Sequence, residues 1–336
     1  MKKNKILTLQ NTSEKNIIKS IVQKIKTSKT FFIAGHKSPD GDALGSGLAL
    51  ASAIRSLGKK VTHCSIDPVP DDMVFMKGSK TIKCTNSLKG TFDCAIILEC
   101  KDFERMGNII APQQAKFVIN IDHHLIHNNY ADINYVVPTS SSVSELVYNI
   151  MVALKTKFTQ MQAENLYIGI VTDTGRFQQL NTTPNSHYVA AELLKYGVNS
   201  NKVCKQLFLT TKINKLRLYG FALSNIQTAL DGKVVYIKLS KKMFEESKAL
   251  DSDTDGIINF CINVPGACIG CVAKEIEKNV TKVSFRSIEK INLLNIVKVF
   301  KGGGHKNAAG CTINSNVDES MNKIIKVCKE NICATK

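Results

Sequence analysis

Apolar residues in this chain follow two rhythms. Between Ser13 and Ser28 they recur at Ile17, Ile18, Ile21, Val22 and Ile25, the spacing of one helical face, with a serine placed to cap it. TFFIAG (30–35) breaks that rhythm with a short unbroken apolar run, which reads as a buried strand. The alternation continues along the first half of the chain. A small-residue helix is predicted over 42–57, stopped by Gly58, and strands over KVTHCSI (60–66), FDCAIILE (92–99) and KFVINID (116–122). Helices follow in SSVSELVYNIMVAL, AENLYIGIVTDTG and SHYVAAELLKYG, the last ended by Gly197. Continuous apolar strands alternating with helices predict an α/β fold whose parallel sheet is covered on both faces.

From 196 to 228 no strand pattern is visible, and the stretch reads as a helical connector. Beyond it, KVVYIKLS (233–240), a helix in DTDGIINFCINV, ACIGCVAKEIE (267–277) and VTKVSFRSI (280–288) read as strands at hairpin-like spacing mixed with helix. The expected organisation is a parallel-sheet domain over 1–195, the connector, and a smaller α+β domain over 229–336, with the active site in the cleft between domains.

Chemistry enters at HKSPDGD (36–42), where His36, Asp40 and Asp42 stand between an apolar strand and an apolar helix. Charged groups beside buried surface are costly unless compensated, and a metal ion would compensate them. Three further pieces match in type: Glu99 in IILECKD, Asp122-His123-His124 in NIDHHLIH, and Asp173 in GIVTDTGRF. His36, Glu99 and Asp122 each fall at the C-terminal end of a predicted strand, the edge where open α/β sheets bind ligands. Each piece alone has an ordinary structural reading: Asp42 as a helix cap, Asp-His-His as a surface loop, Asp173 as a helix end. Together they offer imidazole and carboxylate without thiolate, a set that suits Mn²⁺, with Mg²⁺, Co²⁺ or Fe²⁺ behind it.

Composition narrows the partners. The net charge of +17 and pI near 9.3 favour an anionic partner such as nucleic acid or a phosphate ester. The 11 cysteines form no framework, and the close pair Cys268 and Cys271 lacks the second pair a zinc site needs. Reduced thiols, a basic N-terminus without an apolar core and no run near the roughly 20 residues of a membrane span predict a cytoplasmic protein.

The order H-x-x-P-D-x-D (36–42), D-H-H (122–124), T-D-T-G (172–175) and G-G-G-H-x-x-A-A-G (302–310) resembles the DHH phosphoesterase superfamily with its DHH-associated C-terminal domain. The resemblance runs from about residue 15 to 335 and is nearest to the NrnA-type branch, bifunctional nanoRNases and pAp phosphatases. It implies two Mn²⁺ ions, one on His36 and Asp40, the other on Asp42, His123 and Asp173. The residue at 99 is normally an aspartate bridging both ions; here it is Glu99, one methylene longer. Asp102 is a lesser substitute for that bridge. The resemblance further implies that Asp122 orients the histidines and His124 faces the substrate phosphate. Gly302, Gly303, Gly304, His305 and Arg286 would grip phosphate, with Arg105 and Ser144 as further contacts. Ser142 reads as a helix cap. Short RNA oligonucleotides and small nucleotides are the implied partners, and a homodimer follows from the resemblance alone.

Other readings stay open. The same site serves cyclic- or linear-dinucleotide phosphodiesterases. A RecJ-like exonuclease would need an added oligonucleotide-binding fold, and a family II inorganic pyrophosphatase should lack GGGHKNAAG. A nucleotide- or RNA-binding protein without catalysis has only the Glu99 departure in its favour.

Overall fold

The computed structural model describes residues 12–125, 128–209, 211–288 and 291–333. The first residues of the segment inspected for a leader lie outside these. The chain divides into two compact units, Met1–Thr210 and Thr211–Lys336.

The first unit is built on six parallel strands in the order β3-β2-β1-β4-β5-β6. They are β1 (Thr30–Ala34), β2 (Lys60–Ser65), β3 (Lys83–Cys84), β4 (Cys94–Leu98), β5 (Val118–Asp122) and β6 (Ile133–Val136). Their unbroken apolar runs reflect burial on both faces. Phe31 and Ile33 point into one core layer, Phe32 and Ala34 into the other. Each fully buried side chain of this size contributes about 1.5–3 kcal/mol. The two faces are covered by different means. On the Phe31 side lie long helices: α1 (Thr12–Thr27), α2 (Gly41–Ser56), α4 (Val143–Leu154), α5 (Gln160–Asp173) and α6 (Pro184–Leu194). On the Phe32 side the cover is the short α3 (Phe103–Met106) and flanking loop residues such as Ile109 and Ile110. Helix α7 (Ser200–Phe208) completes the unit.

The small residues of α2 are spacing devices. A Cβ on Gly41 would lie 2.5 Å from Thr172 Oγ1, and one on Gly45 would lie 2.3 Å from the Asn165 carbonyl oxygen. Helices α2 and α5 therefore meet backbone to backbone, which brings the start of one and the end of the other to the same point.

The second unit holds a mixed sheet in the order β11-β12-β10-β9-β8-β7. Its strands are β7 (Ile226–Ala229), β8 (Val234–Leu239), β9 (Ile269–Glu277), β10 (Val280–Ser287), β11 (Gly303–His305) and β12 (Ala308–Ile313). Helices α11 (Leu293–Val297) and α12 (Val317–Cys333) pack on one face. The other carries α8 (Ile213–Ser224), α9 (Lys241–Ser247) and α10 (Ile257–Ile262). One sequence expectation needs correction. The stretch read as a helical connector ends in strand, because Ile226–Ala229 pairs antiparallel with β8. The glycine run forms an edge strand: Gly303–His305 pairs with Ala308–Gly310. Among the described residues no helix is long and apolar enough to cross a membrane.

Candidate metal centre

The order of the first sheet reverses between β1 and β4, and open α/β sheets bind ligands outside the strand ends at such a point. His36 follows β1, Glu99 follows β4, and Asp122 ends β5. Asp40, rather than Asp42, caps α2: its Oδ1 accepts from the N–H groups of Asp42 and Ala43 at 3.0 Å. Asp42 is fully buried and accepts from the N–H groups of Val143 at 2.6 Å and Ser144 at 2.9 Å, at the start of α4. Two helix N-termini thus converge on two carboxylates, a favourable field for negative charge. Gly169 of α5 leaves the space, for a Cβ there would lie 2.6 Å from Asp42 Oδ1.

The two histidines are held alike. His36 Nδ1 lies 2.8 Å from the Lys37 carbonyl oxygen, and His123 Nδ1 lies 3.2 Å from that of Ser140. A carbonyl accepts only, so each Nδ1 carries the proton, and in the neutral ring Nε2 presents a lone pair. That Nε2 faces carboxylate oxygens. His36 Nε2 is 3.5 Å from Asp40 Oδ2 and 3.5 Å from Glu99 Oε2; His123 Nε2 is 3.4 Å from Asp173 Oδ2. These separations exceed a charge-assisted hydrogen bond, about 2.7–2.9 Å, and suit ligands turned toward a shared cation.

Two groups of ligand atoms emerge, His36 with Asp40 and Glu99, and Asp42 with Glu99 and His123, each with its atoms within 4.8 Å of one another. Glu99 belongs to both. Its backbone is left-handed, φ +56°, and its side chain is buried. Glu99 Oε1, Asp173 Oδ2 and Asp122 Oδ2 are buried oxygens without hydrogen-bond partners. Burial, reinforced by the neighbouring carboxylates of Asp42 and Asp40, raises the Glu99 carboxyl far above its usual range and pushes Asp173 up to about 8. Buried carboxylates crowded together with orphaned oxygens are what a cation would satisfy, so these residues fit a metal. Neither group includes a cysteine, and the ten described cysteines are free.

Asp122 acts mainly on its neighbours. Its Oδ1 accepts from the N–H groups of His123 (2.7 Å) and His124 (3.0 Å) and lies 2.7 Å from His124 Nδ1. That last contact raises the pKa of His124, whose side chain is more than half exposed. It orients His124; His123 takes its orientation from Ser140, which nothing marks in sequence beyond its place in a serine run. Asn181, likewise unmarked in sequence, donates to the Asp173 and Ser141 carbonyl oxygens at 3.1 Å.

The remaining candidates divide. Arg105 is exposed, and its carbonyl accepts from Lys37 N–H at 2.9 Å, beside His36. Asp102 caps α3 by accepting from Arg105 N–H at 2.8 Å and belongs to neither group of ligand atoms. Ser142 caps α4 through Glu145 N–H at 3.3 Å. Ser144 is fully buried behind Asp42, which corrects its reading as a substrate contact: no face is left for phosphate. In the second unit Arg286 on β10 and His305 on β11 are exposed and both stand in register with Ala308. The three glycines differ. A Cβ on Gly302 or Gly304 would strike the backbone of β12, whereas Gly303 opens onto free space.

Residues 30–170 match the DHH family, N-terminal domain, and residues 231–332 match the DHHA1 domain. The chain belongs to the DHH family and is a phosphoesterase, a hydrolase of phosphate ester bonds. It is 30% identical over 302 residues to the bifunctional oligoribonuclease and PAP phosphatase NrnA of Thermus thermophilus, covering 90% of each chain. To the NrnA of Bacillus subtilis it is 28% identical over 318 residues, covering 92% of this chain and 98% of that one. Among solved structures, an exopolyphosphatase-related protein from Bacteroides fragilis superposes with a TM-score of 0.81 at 26% identity, covering 96% and 98% of the two chains.

Proposed function

We propose that this chain is a two-metal, Mn²⁺-dependent phosphoesterase that hydrolyses short oligoribonucleotides and pAp. The observation that carries the reading is Glu99 shared between two groups of ligand atoms. The names of the Thermus and Bacillus relatives support the substrates. His36, Asp40 and Glu99 would hold one ion, and Asp42, Glu99, His123 and Asp173 the other. When bound, such a pair lowers the pKa of a water and neutralises phosphoryl oxygens.

The chain's own groups supply the rest. The Lys37 and Ser140 carbonyls fix the ring planes of His36 and His123 with Nε2 inward. The hydrogen bond to Asp122 raises the pKa of His124 and favours its protonated form, an exposed donor for a phosphoryl or leaving oxygen. Arg286, His305 and the bare backbone at Gly303 are the phosphate grip of the second unit, with Arg105 as a cation of the first. The proposed setting is cytoplasmic.

The test is hydrolysis of pAp and of a 5′-labelled RNA series, with Mn²⁺ and with EDTA, for the wild type and Asp173→Asn. Mn²⁺-dependent turnover of both substrates, reduced at least a hundredfold in the variant, is expected. A folded, metal-loaded protein that turns over neither would refute the reading.

A further inference from the structure

The second sheet is not covered evenly. On its α11–α12 side β10 and β12 bury Val283, Phe285, Ala309, Cys311 and Ile313. On the other side α10 lies against β9, where a Cβ on Gly270 would be 2.9 Å from Ile262 N, and also approaches β10, while the apolar cluster beneath the helices ends at Val272. The same face of β10 and β12 carries Lys282, Ser284 and Arg286 opposite Thr312, Gly310 and Ala308. These six are exposed or half-exposed, where their neighbours on the opposite face are buried. The strip is floored by small residues and edged by basic side chains, with Arg286 and His305 at one end and Lys282 at the other. Lys282 forms no ion pair among the described residues, whereas Lys274 beside it is bound to Asp251. At the Lys282 end a pocket of about 200 Å³ is walled by Asp251 and Asp255.

We propose that this strip is a binding track for a short single-stranded RNA, with Lys282 taking a phosphate further along the strand from the one held at Arg286, and Asp251 and Asp255 closing the track. The inference rests on the phosphoesterase reading above and adds to it a length preference. From Lys282 to Arg286 the strand covers about 13 Å. A nucleotide strand advances roughly 3.4 Å per residue when stacked and up to about twice that when pulled straight. Lys282 therefore comes into reach from about the trinucleotide onward, and pAp is too short for it. Bases can lie flat over Gly310, Ala308 and Ser284, where no large side chain intervenes, so the track carries no sequence preference. The carboxylates at its end repel the next phosphate.

The experiment measures binding of 5′-labelled RNAs of two to six nucleotides to the full chain in EDTA, alongside hydrolysis in Mn²⁺, for the wild type, Lys282→Ala and Asp251→Asn/Asp255→Asn. Affinity in the wild type should rise at about three nucleotides and then level. Lys282→Ala should remove that step, a loss of about ten-fold at the tetranucleotide relative to the dinucleotide, and reduce the salt slope of tetranucleotide binding by about 0.7, one phosphate's worth. The double aspartate variant should move the plateau to longer RNA. A Lys282→Ala effect equal at every length, or no effect at any, would overturn the track while wild-type hydrolysis stands. No hydrolysis of any RNA by the wild type would instead remove the reading beneath it.

Discussion

Gly169 offers the sharpest test of how the first unit positions its metal ligands. A Cβ at this place would lie 2.0 Å from Ser144 Oγ and 2.6 Å from Asp42 Oδ1. In an exposed helix interior Gly→Ala would gain about 1 kcal/mol. Here overpacking costs about 1–3 kcal/mol. If Asp42 turns away to relieve it, the N–H groups of Val143 and Ser144 lose their acceptor, at about 1–3 kcal/mol for each buried group left unsatisfied. The sum makes Gly169→Ala destabilising by at least about 2 kcal/mol, read as a lower urea midpoint at unchanged slope. Because Asp42 is also a proposed ligand, Mn²⁺ affinity by calorimetric titration should fall at least ten-fold. Ser144→Ala in the same chain removes the nearer obstacle and should restore part of both losses. Gly220→Ala, on α8 with nothing within 4 Å of the added Cβ, is the control and should stabilise by about 0.5–1 kcal/mol. A Gly169→Ala protein with wild-type midpoint and wild-type affinity would refute the packing argument.

Glu99→Gln should have opposite effects with and without metal: removing one of several crowded carboxylates raises the melting temperature in EDTA, while the Mn²⁺-induced rise shrinks. Equal shifts in both conditions would contradict a ligand role. His63 is buried and its pKa is lowered to about 3 by that burial, so the folded state holds fewer protons than the unfolded chain from pH 6.5 downward. Its contribution is complete above pH 6.5 and is lost on acidification by about 1.4 kcal/mol per pH unit, a slope that urea titrations of His63→Gln should show diminished. Gly304 has φ +139° and a Cβ there would lie 2.6 Å from the Ala308 carbonyl oxygen. Gly304→Ala should therefore lower stability by about 1–3 kcal/mol, whereas Gly303→Ala should keep stability and weaken pAp binding.

The first sheet was legible because doubly buried strands leave unbroken apolar runs, as in FFIA and CAIIL, that no helix face imitates at that length. The exceptions have physical causes. Strand β6, INYV, alternates polar and apolar residues at a sheet edge, and β3 has only two residues, so neither leaves a run to read. In the second unit Gly303–His305 has no strand propensity; pairing with β12 makes it a strand. The metal-ligating types were legible because each stands where an apolar run stops. What held them was not. Asp40 rather than Asp42 caps α2 through contacts two and three residues apart, a role either aspartate could have taken; that Asp42 looks to α4 and that Ser140 steers His123 depends on contacts 17 to 102 residues apart.

Glu99 is where the sequence departs from the aspartate that the family resemblance implies, and where the two readings of the chain, enzyme or bare binder, part. A glutamate in an aspartate's place with the same backbone would carry its carboxylate one methylene further out. Here the residue sits in the left-handed region, a conformation that costs a non-glycine side chain about 1 kcal/mol or more and persists only where its surroundings impose it. The Glu99 N–H still donates to the Ile121 carbonyl at 3.0 Å, so the backbone is anchored to the neighbouring strand while the side chain is turned. From that position the carboxylate reaches His36 and Asp40 on one side and Asp42 and His123 on the other. A binder that had abandoned catalysis would have no need to keep a strained backbone, a buried unpaired oxygen and a carboxylate common to both groups. The longer side chain is accommodated with its carboxylate still common to both groups of ligand atoms, and that favours the enzyme.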